Sequence, residues 1–370
     1  MNRQGKRSIV VYSPHSGRSQ QLTQAQAQLQ EMGIEIVKTI AISELDNLPP
    51  QGENWLKSGI DVAISAGGDG LVGGVINHVA ESDLPLGILP LGTSNDIARS
   101  LQIPQNIQQA AEIIAQGKVQ AVDIGTARPA EQAPHATTSH QQGPVLTQIA
   151  PQKHGYFAHA LTVGLNVQFA RIATNVATRQ RFGRLTYPLA ALEVLRNHEP
   201  LEVELRFEGL AIPQSKASTK EVYDEQTTEL TTTEIPPVLR CRALQVAVIN
   251  APIFGGQWQL AIPDASLNDR LLDIVVMEEI ELGKLSARLA HLFGQKTNGE
   301  DPALADAEYE ATRHPGELTG IPGIHHLQAN GVMITSNIDP RDATLDGEVR
   351  GQTPMYVHIA DKQLRVFVPR

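Results

Sequence analysis

A glycine-rich stretch, Ser65–Gly74, limits the folds open to this chain more than any other feature of the sequence. It follows the apolar run Ile60–Ile64, which predicts a short buried strand, and apolar residues at helical spacing come after it. We therefore expect the glycines at a strand-to-helix turn, where the free N–H groups of the helix start attract anions such as phosphate. The carboxylate of Asp69 would repel a bare phosphate, so it indicates an intervening cation, and Mg²⁺ is the usual one.

Three interpretations of this stretch compete. Gly68–Gly73 matches the dinucleotide-binding pattern G-x-G-x-x-G, but other predicted strands precede it, whereas that pattern follows the opening strand of its domain. No Walker lysine follows the glycines, which excludes a P-loop. On composition alone, a tight turn without any ligand would be the default.

A second stretch of the same kind weighs against a turn without a ligand. Leu86–Arg99 predicts another strand, a Pro/Gly turn and a helix that starts near Asn95. Polar turns that leave adjacent parallel strands meet at the same edge of the sheet. The two motifs, Gly-Gly-Asp-Gly and Pro-Leu-Gly-Thr-Ser-Asn-Asp-Ile-Ala-Arg, together resemble the diacylglycerol kinase catalytic domain family, and most of all its bacterial soluble lipid kinases. That family is related to the sphingosine kinases and the NAD kinases.

The order of the predicted elements divides the chain into two domains. Strands and helices alternate up to Ala98, which is typical of a parallel sheet covered by helices. After Gly125 the segments are short and rich in β-branched residues, which favours an antiparallel sandwich. We thus expect an α/β N-terminal domain with a parallel sheet, followed by a β-rich antiparallel sandwich as C-terminal domain. Strands are predicted at 8–12, 34–39, 60–64, 86–89, 156–164, 201–207, 244–250, 271–277, 325–334 and 352–358, and helices at 20–32 and 107–116.

The domain boundaries follow from this change of pattern. We place the nucleotide-binding α/β domain at residues 1–123 and the lipid-binding sandwich at residues 124–354, and leave open whether the tail, about 355–370, returns to the first domain. Three polar segments without periodicity are predicted as loops between strands, at 129–153, 212–237 and 294–323. Apart from these loops the resemblance spans most of the chain, with family-like sequences at 13–18, 156–165, 250–256 and 263–273.

The resemblance implies an ATP site at the two glycine turns. The backbone of the first turn would cradle the phosphates, and Asp69 would hold catalytic Mg²⁺. The residues implied in nucleotide binding are Gly67, Gly68, Asp69, Gly70, Thr93, Asn95, Asp96 and Thr39. For Asn95 and Asp96 the alternative is capping of a helix N-terminus, and for Thr39 it is an ordinary position at a strand end.

The sequence Thr344–Glu348 contains the third family motif, Asp-Gly-Glu. By resemblance the catalytic residues would be Asp69, Asp346 and Glu348. Asp346 would be the general base that takes the proton of the acceptor hydroxyl, and Glu348 would support it. A carboxylate suits this task when it is partly desolvated. Taken alone, Asp-Gly-Glu predicts a hairpin turn, so both interpretations stay open.

A second, structural Mg²⁺ is also implied by the resemblance. Its ligands would be Ser266, Asp269 and Leu271, the outer two through their backbone carbonyls. Arg270 stands where the family has glycine, which alters the site if a positive φ is required at that position.

Composition and charge narrow the partners of the chain. The net charge of −10 argues against broad nucleic-acid binding, which requires a basic face. The single cysteine, Cys241, is predicted as a buried strand thiol, which fits a reducing cytoplasm. No segment approaches the roughly 20 apolar residues of a membrane span, so a lipid substrate has to be reached at the membrane surface. The segment 166–192 carries four arginines and no acidic residue, which indicates either a patch for anionic lipid surfaces or a solvated helix face.

Together these features predict an ATP- and Mg²⁺-dependent kinase that phosphorylates a hydroxyl of a diacylglycerol-like lipid. The expected partners are ATP and a lipid at the membrane surface, without nucleic acid, and a homodimer is expected only by analogy with the family. The expected location is the cytoplasm, with peripheral membrane association.

Two alternatives remain. The first is a nucleotide-binding regulatory protein with weakened catalysis, because Leu71 replaces the family's threonine and Arg270 its glycine. Gly73 and Gly74 also replace an Asn-Glu pair, although the carboxylates of the motifs are kept. The second is a kinase of a soluble acceptor such as NAD, because the NAD kinases share related glycine motifs.

Overall fold

The structure is a computed structural model that describes residues 5–14, 16, 18–45, 48–130, 155–165, 200–210, 238–254, 260–262, 264–279, 323–337 and 339–370. Within these residues the strands form two large sheets and one small separate hairpin. We number strands and helices along the chain.

Six strands form the first sheet: β1 (Lys6–Tyr12), β2 (Ile34–Ala41), β3 (Val62–Gly67), β4 (Leu86–Pro90), β5 (Lys118–Val122) and β19 (Leu364–Val368). Their order is β2-β1-β3-β4-β19-β5. Neighbouring strands are parallel, except that β5 runs antiparallel to β19.

Five helices belong to the part of the chain described: α1 (Leu22–Glu31), α2 (Gly52–Lys57), α3 (Asp69–Val79), α4 (Asp96–Ser100) and α5 (Ile107–Gln116). The sheet order runs from β1 to β2 on one side and from β3 to β4 on the other, so right-handed crossovers place α1 and α3 on opposite faces. Strands β3 and β4 are buried along their whole length because helices cover both of their faces. The order reverses between β1 and β3, and ligands of α/β sheets bind beyond the carboxyl ends of the strands at such a point.

The second sheet contains eleven antiparallel strands: β6 (Gly125–Pro129), β7 (Gly155–Phe157), β8 (Ala160–Gly164), β9 (Leu201–Glu208), β10 (Val238–Ile249), β13 (Leu272–Glu278), β14 (Ile324–Ala329), β15 (Gly331–Ser336), β16 (Asp342–Leu345), β17 (Glu348–Gln352) and β18 (Met355–Ile359). The main path is β17-β16-β8-β10-β9-β15-β18-β6-β7, and β13 and β14 extend it from β10. The small hairpin consists of β11 (Ile253–Phe254) and β12 (Leu260–Ala261).

Each large sheet has its own hydrophobic core. Strand β9 illustrates how the inner face of the sandwich is selected. Leu201, Val203 and Leu205 are buried, whereas Glu202 and Arg206 on the opposite face of the strand are exposed. Truncating one of these buried leucines to alanine costs about 2–5 kcal/mol.

The chain passes between the two sheets twice. Residues 123–124 join β5 to β6, and residues 360–363 join β18 to β19. The N–H group of Ala360 donates to the carbonyl oxygen of Ile124 at 2.9 Å, so the two crossings are tied together.

The expected fold class, a parallel α/β domain followed by an antiparallel β domain, is confirmed. The helix predicted at 107–116 coincides with α5. Two strands predicted as continuous, 156–164 and 325–334, are each divided into two, and β10 begins at Val238 before its predicted start at Leu244. Strands β5, β6, β11, β12 and β19 and helix α2 were not expected from the sequence. Strands β16 and β17 were expected only through the hairpin interpretation of Asp346–Glu348.

Several sequence predictions concern residues that the structure does not describe. The segment 166–192 and most of the three polar loops lie outside the described residues.

Cys241 lies on β10 and is partly buried, and this burial, with the nearby Glu278 carboxylate, raises the pKa of its thiol to about 12. No helix in the described ranges is both long enough and apolar enough to cross a membrane.

Candidate active site

The first glycine turn leads directly from β3 into α3. Gly68 is the residue before the helix, and the N–H group of Val72 donates to the carbonyl oxygen of Gly68 at 3.0 Å. The N–H groups of Asp69, Gly70 and Leu71 therefore have no partner within the helix. Together with the helix dipole they form a site suited to an anion.

The second glycine turn packs on the first, backbone against backbone. The N–H group of Leu91 donates to the carbonyl oxygen of Gly67 at 2.9 Å. A Cβ atom placed on Gly92 would lie 2.3 Å from Cα of Gly68. Because no side chain fits there, the approach of the two turns requires glycine at 92.

Asp69 connects the two turns through its side chain. Its Oδ1 accepts a hydrogen bond of 2.9 Å from the N–H group of Ile97, in the first turn of α4. Asp69 thus satisfies a free N–H group at the start of a second helix. Its other carboxylate oxygen has no hydrogen bond to a residue that the structure describes.

Asn95 is the residue before α4, but its side chain makes no capping hydrogen bond to that helix. The residue is 2% exposed, with φ of 54°, and its side chain fastens the second turn instead. Its Oδ1 accepts from the N–H group of Gly92 at 2.9 Å, and its Nδ2 donates to the carbonyl oxygen of Gly92 at 3.0 Å and to Oε1 of Gln105 at 2.8 Å. Asp96 is the buried first residue of α4, and Thr93 is exposed on the turn.

The third motif forms the turn of the β16–β17 hairpin. Asp346 has φ of 49° and Gly347 has φ of 86°, which is the pair of positive values that a two-residue type I′ turn requires. The expected hairpin is therefore present. Asp346 is also 9% exposed, so its carboxylate is removed from solvent and needs partners.

Those partners come from the connection between β7 and β8. Oδ2 of Asp346 accepts from the N–H group of Ala158 at 3.0 Å, and Oδ1 accepts from His159 at 2.8 Å and from Ala160 at 3.1 Å. This explains why the strand predicted at 156–164 is divided, since these N–H groups bind a side chain. Burial raises the pKa of Asp346, and the three N–H groups and the nearby His159 oppose that shift.

The third motif lies against the glycine face of α3. A Cβ atom placed on Gly73 would lie 2.6 Å from Oδ2 of Asp346, and one placed on Gly70 would lie 3.2 Å from Oε1 of Glu348. Gly70 and Gly73 are one helical turn apart and share a face of the helix. The hairpin turn of the second domain thus sits directly on the helix that begins at the first glycine turn.

Two residues of this region were missed from the sequence. Arg350 donates to the half-exposed Glu348 carboxylate, through Nε at 2.9 Å and through Nη2. Asn77 clamps α3 to β7: its Nδ2 donates to the carbonyl oxygens of Gly73 at 2.7 Å and Tyr156 at 3.1 Å, and its Oδ1 accepts from the N–H group of Tyr156 at 2.9 Å. Asn77 lies four residues after Gly73, so helical spacing could have indicated that it shares this face.

A cleft of about 470 Å³ continues along α3 between the two domains. Most of the residues around it carry polar or charged groups, but their apolar parts also face the cleft. Its lining includes Asn77, Arg128, Tyr156, His358 and Lys362. Arg128 also lies over the ring of Tyr356, with 5.0 Å between the guanidinium carbon and the ring centroid.

The remaining residues expected at the site lie in two other places. Thr39 lies within β2, and its Oγ1 accepts from Nε2 of Gln26 on α1 at 2.8 Å. Ser266, Asp269 and Leu271 lie in the loop before β13. There Oγ of Ser266 accepts from the N–H group of Asn268 at 3.2 Å, and Oδ1 of Asp269 accepts from the N–H group of Leu271 at 3.0 Å.

Two protein-family models match successive parts of the chain. The diacylglycerol kinase catalytic domain model matches residues 7–127, and the YegS C-terminal NAD kinase beta sandwich-like domain model matches residues 160–300. These two ranges include the two glycine turns and much of the sandwich.

Relatives match over nearly the full length of the chain. The diacylglycerol kinase of Staphylococcus saprophyticus is 24% identical, over 98% of this chain and 96% of the relative. The diacylglycerol kinase of Staphylococcus aureus (strain bovine RF122 / ET3-1) is also 24% identical, over 98% of this chain and 93% of the relative.

Solved structures share the fold. A diacylglycerol kinase from Bacillus anthracis str. Sterne superposes with a TM-score of 0.57 at 18% identity, over 98% of this chain and 97% of that one. The matched domains, their order and the relatives agree with one another. The chain thus combines a diacylglycerol kinase catalytic domain with a YegS C-terminal NAD kinase beta sandwich-like domain, and it is a phosphotransferase with an alcohol group as acceptor.

Proposed function

We propose that this kinase transfers the γ-phosphate of ATP, with Mg²⁺, to a hydroxyl group of a diacylglycerol-like lipid at the membrane surface. One observation carries the proposal: the hairpin turn with Asp346 and Glu348 lies on the same helix, α3, that starts at the first glycine turn. A phosphate cradle and a base for the acceptor hydroxyl are the two protein parts that phosphoryl transfer needs besides the cation.

The start of α3 would hold the phosphates of ATP. The free N–H groups of Asp69, Gly70 and Leu71 would donate to phosphate oxygens, with Gly67 and Gly68 allowing close approach. Asn95 would act by fixing the second turn, on which exposed Thr93 offers a hydroxyl to the nucleotide. Thr39 is the weakest member of the proposed nucleotide set, because its Oγ1 already accepts a hydrogen bond from Gln26.

Asp69 would hold the cation. Its second carboxylate oxygen has no hydrogen-bond partner among the described residues, and an anionic oxygen is the ligand that Mg²⁺ prefers, so the residue fits the ion. Asp96 is buried at the start of α4, directly before the N–H group that Asp69 binds. Bound Mg²⁺ would neutralise charge on the transferred phosphate.

Asp346 would take the proton of the acceptor hydroxyl. Burial raises the pKa of its carboxyl group towards the range in which a base works at neutral pH. Three backbone N–H groups fix its orientation, and only one of them binds Oδ2. Glu348, held by Arg350, would support the charge and position of the hydroxyl.

Two residues that depart from the family pattern, Gly73 and Leu71, fit this arrangement. Gly73 leaves the room that the Asp346 carboxylate occupies. Leu71 is 6% exposed, and a Cβ atom on Gly67 would lie 2.4 Å from its Cδ2, so its side chain packs under the turn. A buried Leu71 removes no N–H group from the cradle, which weakens the case for a regulatory protein without catalysis.

The second candidate function is phosphorylation of a soluble acceptor such as NAD. It is favoured by the charged residues around the 470 Å³ cleft, among them Arg128 and Lys362, which lie beside Asn77 and Tyr156. A polar acceptor would fill such a cleft better than an acyl chain would.

Transfer of radiolabelled phosphate tests these candidates. The purified protein is incubated with γ-labelled ATP, with and without Mg²⁺, and with diacylglycerol, monoacylglycerol, phosphatidylglycerol, a sphingoid base or NAD. We expect Mg²⁺-dependent label in a lipid product. Label in NAD alone would establish the second candidate, and ATP binding without transfer to any acceptor would establish the regulatory protein.

A further inference from the structure

Asp123 is a fully buried carboxylate at the point where the chain first leaves the parallel sheet, and it is 0% exposed. Its Oδ2 accepts from the backbone N–H group of Arg270 at 2.8 Å. Its Oδ1 accepts from Nη1 of Arg270 at 3.2 Å and from Nε2 of Gln363 at 3.0 Å. Among the described residues, Arg270 is the one charged partner of this carboxylate.

Three segments of the chain meet at Asp123. Asp123 itself lies in the first crossing between the sheets, and Gln363 lies in the return crossing before β19. Arg270 comes from the loop 264–271, before β13. The same loop is fixed a second time, because the N–H group of Asp123 donates to the carbonyl oxygen of Leu267 at 2.7 Å.

The junction at Asp123 is also connected to the proposed active site. Nδ2 of Asn250 donates both to the carbonyl oxygen of Asp123 at 2.9 Å and to that of Ala158 at 2.8 Å. The N–H group of Asn250 donates to the carbonyl oxygen of His159 at 2.8 Å. Ala158 and His159 supply two of the three N–H groups that hold the Asp346 carboxylate. The geometry of the junction therefore bears on the placement of Asp346.

The backbone of Arg270 adopts a conformation that favours glycine. Its φ is 63°, in the left-handed region that side chains disfavour. A glycine would adopt this conformation without strain, but it would leave the buried Asp123 carboxylate without a cationic partner. The ion pair between Arg270 and Asp123 accounts for an arginine in this position, because an unpaired buried carboxylate is strongly destabilising.

The loop fits a metal poorly. Of the expected ligand side chains only the Asp269 carboxylate is involved, and its Oδ1 already accepts a hydrogen bond from the N–H group of Leu271. Asp269 alone would supply a charged ligand to a metal. The cation that the loop does supply is the guanidinium of Arg270, which pairs with Asp123.

We propose that the guanidinium of Arg270 is the structural cation of this loop, pairing with Asp123 in place of a divalent metal, so that the junction between the domains is independent of metal. This inference concerns folding and does not depend on the proposed function.

The test is thermal unfolding of the full chain without nucleotide, in EDTA and in millimolar MgCl₂. We expect the wild-type midpoint to be the same in both solutions. R270G should lower the midpoint by at least about 3 °C in EDTA, because it leaves Asp123 unpaired. D123N should remove most of that loss when it is combined with R270G, since the uncompensated charge is then gone.

R270K is the second variant, in case R270G does not fold. It keeps the charge but loses the fork of the guanidinium, so we expect a midpoint between those of the wild type and R270G. A wild-type midpoint that rises in MgCl₂, with the rise lost in D269N and kept in D69N, would show that the loop holds a metal and would overturn the proposal. Additive losses for R270G and D123N would overturn it as well. These midpoints do not depend on kinase activity, so failure here is distinct from failure of the lipid assay.

Discussion

Gly73 on α3 and Asp346 in the β16–β17 turn are in contact, and the contact exists because Gly73 has no side chain. A Cβ atom on Gly73 would lie 2.6 Å from Oδ2 and 3.1 Å from Cβ of Asp346. Asp346 cannot move away freely, since three backbone N–H groups hold its carboxylate. The glycine therefore sets how closely the helix of the phosphate turn approaches the proposed base.

Gly73→Ala should strongly reduce turnover. The new methyl group would displace the Asp346 carboxylate, and a misplacement of about 1 Å can cost about 10²-fold in rate. ATP affinity should change little, because the free N–H groups at the start of α3 are not touched. Alanine also favours a helix by about 1 kcal/mol over glycine, so loss of the helix is not the expected cause. Steady-state kinetics and calorimetric titration with ATP measure the two effects.

Gly74→Ala is the matched control. A Cβ atom on Gly74 would lie 3.1 Å from Cδ1 of Ile42, which is the end of a flexible side chain that can turn aside. This variant should retain nearly the wild-type rate. Equal losses in both variants, or full activity in Gly73→Ala, would contradict the role of the contact.

Asp69→Asn should separate the two tasks of Asp69. The asparagine keeps an oxygen that can accept the N–H group of Ile97, but it loses the charge proposed to hold Mg²⁺. We expect a thermal midpoint in chelator close to that of the wild type, and no Mg²⁺-dependent transfer. Asp69→Ala should also lose about 1 kcal/mol of unfolding free energy with the hydrogen bond. Ordinary Mg²⁺ dependence in Asp69→Asn would exclude Asp69 as the metal ligand.

The sequence predicted what local chemistry determines. The glycine turns, helix α5 and the Asp346–Gly347 hairpin each follow from residues that are neighbours in the chain. The break between β7 and β8 could not be predicted, because it depends on a carboxylate at position 346 that takes the N–H groups of 158–160. The pairing of Arg270 with Asp123 could not be predicted either, since only tertiary packing brings these residues together.

Cys241 should be nearly unreactive in the folded protein. Its pKa of about 12 leaves roughly one thiolate in 10⁴ at pH 8, whereas an unperturbed thiol with pKa near 8.5 is about one quarter ionised. Labelling by a disulfide reagent at pH 8 should therefore be at least about 10²-fold slower in native than in urea-unfolded protein. Equal labelling rates in the two states would contradict the burial of this thiol.

The same shift predicts a dependence of stability on pH. The pKa of the Cys241 thiol is higher in the folded than in the unfolded chain, so the folded state binds the proton more tightly. The resulting stability is complete below about pH 8.5 and is lost as pH rises towards 12. Urea unfolding between pH 8 and 11 should show a steeper decline for the wild type than for Cys241→Ser, and parallel declines would exclude the effect.

Asp346→Asn separates a general base from a turn residue. An asparagine oxygen can accept the N–H groups of His159 and Ala160, but the NH₂ group would then face the N–H group of Ala158. We expect a loss of about 1–3 kcal/mol in unfolding free energy for that unsatisfied contact. Turnover should fall by about 10²–10⁴-fold, the usual cost of removing a general base. ATP binding by calorimetry should remain near the wild-type value.

The pH profile makes this last prediction specific to a base. Burial raises the pKa of Asp346, so the acid limb of the wild-type rate should lie above the ordinary carboxyl range near pH 3.9. The residual activity of Asp346→Asn should lack that limb, because no carboxylate remains to be ionised. Glu348→Gln is the control: Glu348 is half-exposed, and this variant should keep the limb while losing less turnover. If Asp346→Asn folds and turns over lipid at the wild-type rate, Asp346 serves the hairpin and the N–H groups of 158–160 but not the chemistry.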